Sequence, residues 1–155
     1  MTTLRLARDL PADPARVWRC LTEADLLKRW FAPAPWTTPD VRIDPTPGGI
    51  FQVTMRSPDG TDMPMPPGCI LLADPCTRLV WTSALQTGFV PAPPPAEGGF
   101  VFTADVRLTP QDGGTHYEVT LSHARAEDAE AHAAMGFDQG WGTAAEQLGA
   151  LATGL

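Results

Sequence analysis

Across the last thirty residues, Ala126 to Leu155, apolar positions recur as Met135, Trp141, Ala145, Leu148 and Ala152, separated by six, four, three and four residues. Those separations follow the 3.6-residue period of a helix. The opposite side carries Glu127, Glu130, Thr143 and Glu146. The pattern predicts one long helix over 126–155 with a wet face and a face that needs broad cover, which a sheet can supply.

Upstream, Leu4, Leu6 and Ala7 alternate with arginines and predict a first strand ending at Leu10-Pro11. Asp13-Pro14 follows, a capping carboxylate before a residue whose φ is already helical, with Val17, Trp18 and Leu21 on one face behind it. A second short helix is expected from Thr22, carrying Leu26, Leu27, Trp30 and Phe31 and stopped by Pro33 and Pro35. From Val41 to His123 the period changes to strict alternation. Val41–Ile43, Phe51–Met55, Cys69–Ala73, Arg78–Ser83, Phe102–Leu108 and Tyr117–His123 read as strands, punctuated by Gly48-Gly49, Pro58-Asp59-Gly60, Asp74-Pro75 and Asp112-Gly113-Gly114.

The predicted order is β-α-α-β6-α, an α+β fold with about seven strands in a curved antiparallel sheet wrapped on the C-terminal helix. A single domain over 1–155 is expected from the length. Where such a sheet curves more than the helix can fill, a pocket remains between them.

Composition narrows the function classes. A formal net charge of -7 with eleven dispersed basic residues would repel a phosphate backbone, so nucleic acid is excluded as a partner. Cys20, Cys69 and Cys76 are odd in number, lack Cys-x-x-Cys spacing and sit among apolar residues. They read as reduced core thiols of a cytoplasmic protein. The chain opens without a signal-like segment and contains no apolar run of membrane-spanning length, so no membrane insertion is expected. The histidines are scattered, so no metal site is expected. The glycine pairs precede strands rather than helices and there is no Gly-x-Ser-x-Gly elbow, so neither a cofactor-binding phosphate cradle nor a serine nucleophile is expected.

Candidate chemistry concentrates at one end of the predicted pocket. His123 shares a face with Tyr117, Val119 and Leu121, and Asp138 lies three residues before Trp141. A histidine and a carboxylate facing one pocket can orient a polar ligand or move a proton, against the plainer alternative of a strand-end histidine bonded to a backbone carbonyl. Trp141, between Gly140 and Gly142, either stacks on a bound ring or packs on the sheet to close the core. Met135 and Asp138 are the expected pocket wall on the helix, while Leu148 and Ala152 close the core with Trp141. Two proline-rich stretches, 63–68 and 91–99, are stiff loops between strands; the second, long for a hairpin, is either a lid or a rigid surface loop with no ligand role.

Four segments add a resemblance. Leu21-Thr-Glu-Ala-Asp-Leu-Leu-Lys-Arg-Trp-Phe-Ala-Pro33, Pro47-Gly-Gly-Ile-Phe51, Arg78-Leu-Val80 and Met135-Gly-Phe-Asp-Gln-Gly-Trp141 together resemble the activator-of-heat-shock-protein-90-ATPase homologue-like family. That family belongs to the START/polyketide-cyclase (SRPBCC) helix-grip superfamily. The resemblance implies a helix-grip fold and a cavity for a hydrophobic or aromatic small molecule, with no particular reaction attached. Its expected lining is Phe51, Val53, Met55, Trp81 and Phe102 from the sheet, Trp36 and Phe89 from loops, and His123, Met135, Asp138 and Trp141 around the helix. A cyclase- or dehydratase-like enzyme using His123 and Asp138 in the same cavity is the alternative. Contact with a chaperone is a third, although the resemblance to the eukaryotic co-chaperone extends only to that protein's C-terminal domain. Exposed strand edges allow a monomer or a homodimer.

Overall fold

A computed structural model describes residues 1–155. In chain order the elements are β1 (Thr3–Leu10), α1 (Pro14–Thr22), α2 (Ala24–Leu27), β2 (Thr37–Ile43), β3 (Ile50–Arg56), β4 (Asp62–Pro64), β5 (Gly68–Asp74), β6 (Arg78–Thr82), β7 (Leu85–Gln86), β8 (Val90–Pro91), β9 (Phe102–Gln111), β10 (Gly114–His123), α3 (Ala126–Ala134) and α4 (Phe137–Thr153). The main sheet is antiparallel and runs β1-β10-β9-β6-β5-β3-β2, with β4 added beside β3. This is the expected strongly curled seven-strand half-barrel, closed by a long C-terminal helix.

Alternation sets which face is dry. Across β9 and β10, Tyr117 pairs with Leu108, Val119 with Val106 and Leu121 with Ala104, and all six are buried. Trp81 extends the same inner row, opposite Ala104 on β6. Register shifts in β2, between Thr37 and Asp40, and in β5, between Ile70 and Leu72, bend the far half of the sheet inward. The β9–β10 hairpin turns on Asp112 and Gly113, both at positive φ (48° and 80°), the conformation a two-residue turn needs to match strand twist.

Local chemistry starts the first helix as the sequence dictates: the Asp13 carboxylate accepts from the Arg16 amide at 2.9 Å, and Pro14 opens the first turn. Across the sheet mouth, α4 approaches β1 so closely that a Cβ on Gly149 would lie 3.3 Å from both Leu10 and Pro11. Its buried stripe is Ala144, Ala145, Leu148 and Ala152.

Three expectations need correction. The helix over 126–155 is two helices, because Gly136 adopts φ 89°, ends α3 and begins α4. Glycine takes that left-handed conformation without steric cost, and its amide bonds to the Ala133 carbonyl as the chain turns. Met135, on the apolar stripe of a continuous helix, is consequently 75 % exposed. Second, α2 is only four residues; turns carry the chain through Trp30 and Phe31, since Pro33 leaves no room for another helical turn. Third, Cys20 and Cys69 are buried free thiols, but Cys76 is only partly buried, at a turn with φ 65°. The short β4, β7 and β8 add to the expected strands; at two or three residues each they are too short to show an alternating pattern, and β4 and β8 end in Pro64 and Pro91. No helix is long and apolar enough to cross a membrane.

Candidate functional site

A cavity of about 320 Å³ lies between the inner face of the sheet and the α3–α4 junction. Trp30, Phe31 and Pro33 wall it on the side of α2, Met55, Met65, Trp81, Phe100 and Phe102 on the side of the sheet, and His132, Met135, Gly136, Phe137, Gly140, Trp141 and Ala144 on the helical side. Seven aromatic rings form a closed circuit around it: Phe31, Phe51, Trp81, Phe102, His132, Phe137 and Trp141, each within 4.4–6.5 Å of the next. Phe51 and Trp81 are stacked, at 4.4 Å and 19°. Trp81–Phe102, His132–Phe137 and Phe31–Trp141 meet edge-on. Both arrangements place ring edges against ring faces or offset faces, the favourable geometries for aromatic quadrupoles.

The α2-side wall is irregular backbone, and hydrogen bonds supply the rigidity that helix geometry does not. The Gln147 side chain on α4 donates to the Trp30 and Ala32 carbonyls, each at 2.8 Å, and accepts from the Ala34 amide at 2.8 Å. One amide side chain thus satisfies three backbone groups of a segment that pairs with no strand. Trp30 is anchored from its other end, its Nε1 donating to the Cys20 carbonyl at 2.8 Å.

The polar end of the cavity is a pair of histidines. His123 is buried at the end of β10, with Nδ1 2.9 Å from the Thr2 carbonyl and Nε2 2.9 Å from His132 Nδ1. The rings are edge-to-face at 85°. Phe100 and Phe102 pack against both imidazoles. Burial, and after it the proximity of His123, pushes the His132 pKa down to about 4, so this ring is neutral at physiological pH.

Of the expected lining residues, the cavity brings together Met55, Trp81, Phe102, Met135 and Trp141. Phe51 belongs to the aromatic circuit one layer behind, and Val53 is buried in the core. His123 stands behind His132 rather than at the wall. Asp138 does not accompany it: exposed at the start of α4, it borders a separate surface groove with Thr3 and Arg5 of β1. Asp138 shares α4 with Trp141 but sits in the first turn with its side chain exposed to solvent. Trp36 is half-buried away from the cavity. Phe89 packs its ring over Gly48, where a Cβ would lie 3.0 Å from it. The 91–99 loop reaches the cavity only through the residue that follows it, Phe100.

Sequence reasoning did not select Trp30, Phe31, Met65, Phe100, Phe137 or, most importantly, His132. Helical spacing offered a signal for His132 and Phe137, since His132 stands three residues before Met135 and Phe137 four before Trp141, on the same apolar stripe. Phe100 had no periodic signal, because it sits between a proline loop and a strand.

Comparison with known proteins follows the same geometry. Residues 11–153 match the model of the family described as "Activator of Hsp90 ATPase homolog 1-like protein". A crystal structure of a protein from Nitrosomonas europaea is 41 % identical and superposes with a TM-score of 0.90, covering 97 % of this chain and 93 % of that one. A protein from Rhodobacter sphaeroides is 25 % identical with a TM-score of 0.83, covering 99 % and 94 %. The solution structure of an AHSA1-like protein from Aeromonas hydrophila, 19 % identical with a TM-score of 0.70 over 98 % and 92 %, shares the fold. No curated protein sequence matches the chain.

Proposed function

Because this chain belongs to the activator of Hsp90 ATPase homolog 1-like family, whose fold is suited to holding ligands, we propose that it binds an aromatic small molecule in the cavity between its sheet and its C-terminal helices. The circuit of aromatic rings around that space carries the reading. A globular core of this size would ordinarily close on itself, as interiors pack nearly as densely as organic crystals. Here the large side chains stand against one another around a space instead of filling it, and a flat apolar ligand would complete their packing. The volume falls at the lower end of the range for small-molecule sites, which suits a bicyclic compound better than a long lipid. We place this activity in a single cytoplasmic helix-grip domain, in keeping with its free cysteines.

Thermal denaturation with a panel of mono- and bicyclic aromatics tests the proposal. A ligand at one hundred times its dissociation constant stabilises the native state by about 2.7 kcal/mol. Bicyclic aromatics are expected to raise Tm and to be recovered unchanged. A panel without any effect, together with a dry and ligand-free cavity in a crystal structure of the protein as purified, would refute it.

One observation favours a second reading, an enzyme of the cyclase or dehydratase kind: His132 is a neutral imidazole at the cavity wall, able to take a proton. It would work without Asp138, which lies outside the cavity. Release of an altered product from a bound aromatic separates this reading from simple binding. A chaperone contact, suggested by the family description, predicts instead a complex in pull-down and a changed chaperone ATPase rate.

A further inference from the structure

We infer that His132 is the hydrogen-bond acceptor of the cavity wall, accepting a hydrogen bond through Nε2 from a ligand hydroxyl, and that His123 positions it for that role. The ligand class is therefore a phenol-like aromatic, with one donor at its rim and an otherwise apolar body. This rests on the binding reading above and adds the polar specificity to it.

Hydrogen-bond logic fixes the proton positions. The Thr2 carbonyl can only accept, so the His123 nitrogen facing it, Nδ1, carries a hydrogen. A neutral imidazole has one N–H, which leaves His123 Nε2 with a lone pair. That lone pair faces His132 Nδ1 at 2.9 Å, and two lone pairs cannot share such a contact, so His132 Nδ1 is the donor. By the same count His132 Nε2 is bare. Nothing in the chain donates to it, and His132 forms part of the cavity lining. The backbone thus dictates, through two rings in series, that His132 presents an acceptor and not a donor.

The surroundings keep it so. The Thr2 carbonyl is itself held in place, because the His123 backbone amide donates to it at 2.8 Å as well. The His123 ring packs against Phe100 and Phe102, its centroid 5.7 and 6.1 Å from theirs. His132 packs against Phe100, Phe102 and Phe137 at 4.9, 5.0 and 6.0 Å, which sets its plane. The rest of the lining is apolar or aromatic except for the indole N–H groups, and that of Trp30 is already spent on Cys20. A ligand acceptor placed against His132 meets its lone pair, whereas a ligand donor there satisfies it.

Two probes of the same shape separate this from general apolar binding: 2-naphthol, which carries a donor, and 2-methylnaphthalene, which does not. Titration calorimetry at pH 7 is expected to show 2-naphthol binding about fivefold more tightly, the size of one neutral hydrogen bond. In His132→Phe, which keeps an aromatic ring in the circuit, the preference for 2-naphthol over 2-methylnaphthalene is expected to disappear. Equal affinities in the native protein, or a preference that survives in the variant, would overturn the inference while leaving the apolar binding reading intact. If neither probe binds, the binding reading fails and the inference falls with it. Nitrogen-15 NMR of the free protein gives an independent decision: His132 Nε2 is expected to resonate as an unprotonated nitrogen near neutral pH, and a protonated Nε2 would overturn the assignment.

Discussion

His123 Nε2 lies 2.9 Å from His132 Nδ1, joining the last residue of β10 to the last turn of α3 across the end of the cavity. The contact links an inward-facing strand position to a helix that exists separately only because Gly136 ends it. Without that break, the chain would carry His132 and Phe137 in a different relation to the sheet.

The pair makes stability depend on pH. His132 takes up its proton near pH 4 in the native chain and near 6.5 when unfolded. Between those values the unfolded chain holds more protons, so stability rises with pH and is lost as pH falls from about 6.5 toward 4. Urea denaturation at pH 7 and pH 5 is expected to show this loss in the native protein and a smaller one in His132→Phe. An unchanged difference would mean that other groups govern the acid limb.

His123→Phe tests positioning without touching the cavity wall. Loss of its Nε2 acceptor frees His132 to protonate either nitrogen. The expected outcome is a mixture of His132 tautomers by nitrogen-15 NMR and a reduced 2-naphthol preference, with 2-methylnaphthalene affinity held. A merely structural role for His123 would lower stability and leave the tautomer and the preference alone.

Stability and binding should separate along α4. Leu148 is fully buried, and Leu148→Ala is expected to cost about 3 kcal/mol by leaving an unfilled cavity in the core. Trp141 already borders open space, so Trp141→Ala removes fewer packed neighbours than a core tryptophan would lose. It is expected to cost less than Leu148→Ala yet to weaken 2-methylnaphthalene binding more. Chemical denaturation and calorimetry on the two variants check the order.

Gln147 holds the segment that carries Trp30 and Phe31. In Gln147→Ala, the Ala32 and Trp30 carbonyls and the Ala34 amide lose their partner. A loss of about 1–3 kcal/mol is expected where water cannot replace it. Hydrogen exchange should accelerate at Ala34 before it does in the β9–β10 core, and uniform acceleration would argue for global destabilisation instead.

Gly136 is required for its backbone and not for space, since a Cβ there would meet nothing within 4 Å. Gly136→Ala is expected to cost about 1–2 kcal/mol from the left-handed conformation alone. Gly149→Val, by contrast, would drive a branched side chain into Leu10 and Pro11. It is expected to destabilise by about 1–3 kcal/mol through overpacking. Equal tolerance of both changes would remove the distinction.

The sequence by itself determined the parts of this protein that rest on local period and local chemistry. The alternation of Tyr117, Val119, Leu121 and His123 fixed which side of β10 is dry, because side chains in a strand point to opposite faces by geometry alone. Asp13-Pro14 and Asp112-Gly113 set a helix start and a hairpin turn for equally local reasons. Met55, Trp81, Phe102 and Trp141 could be placed at the cavity from the same alternation and from the helical spacing. What only the tertiary structure decided is where the phase resets and which elements meet. Gly136 is one glycine among fourteen, and its positive φ follows from the path α3 must take over the end of the sheet rather than from its neighbours in sequence. That single dihedral ended α3, exposed Met135 and left His132 against His123. The polar end of the site is thus a contact between residues nine positions apart whose geometry depends on a bend beyond both of them, and no periodicity encodes it.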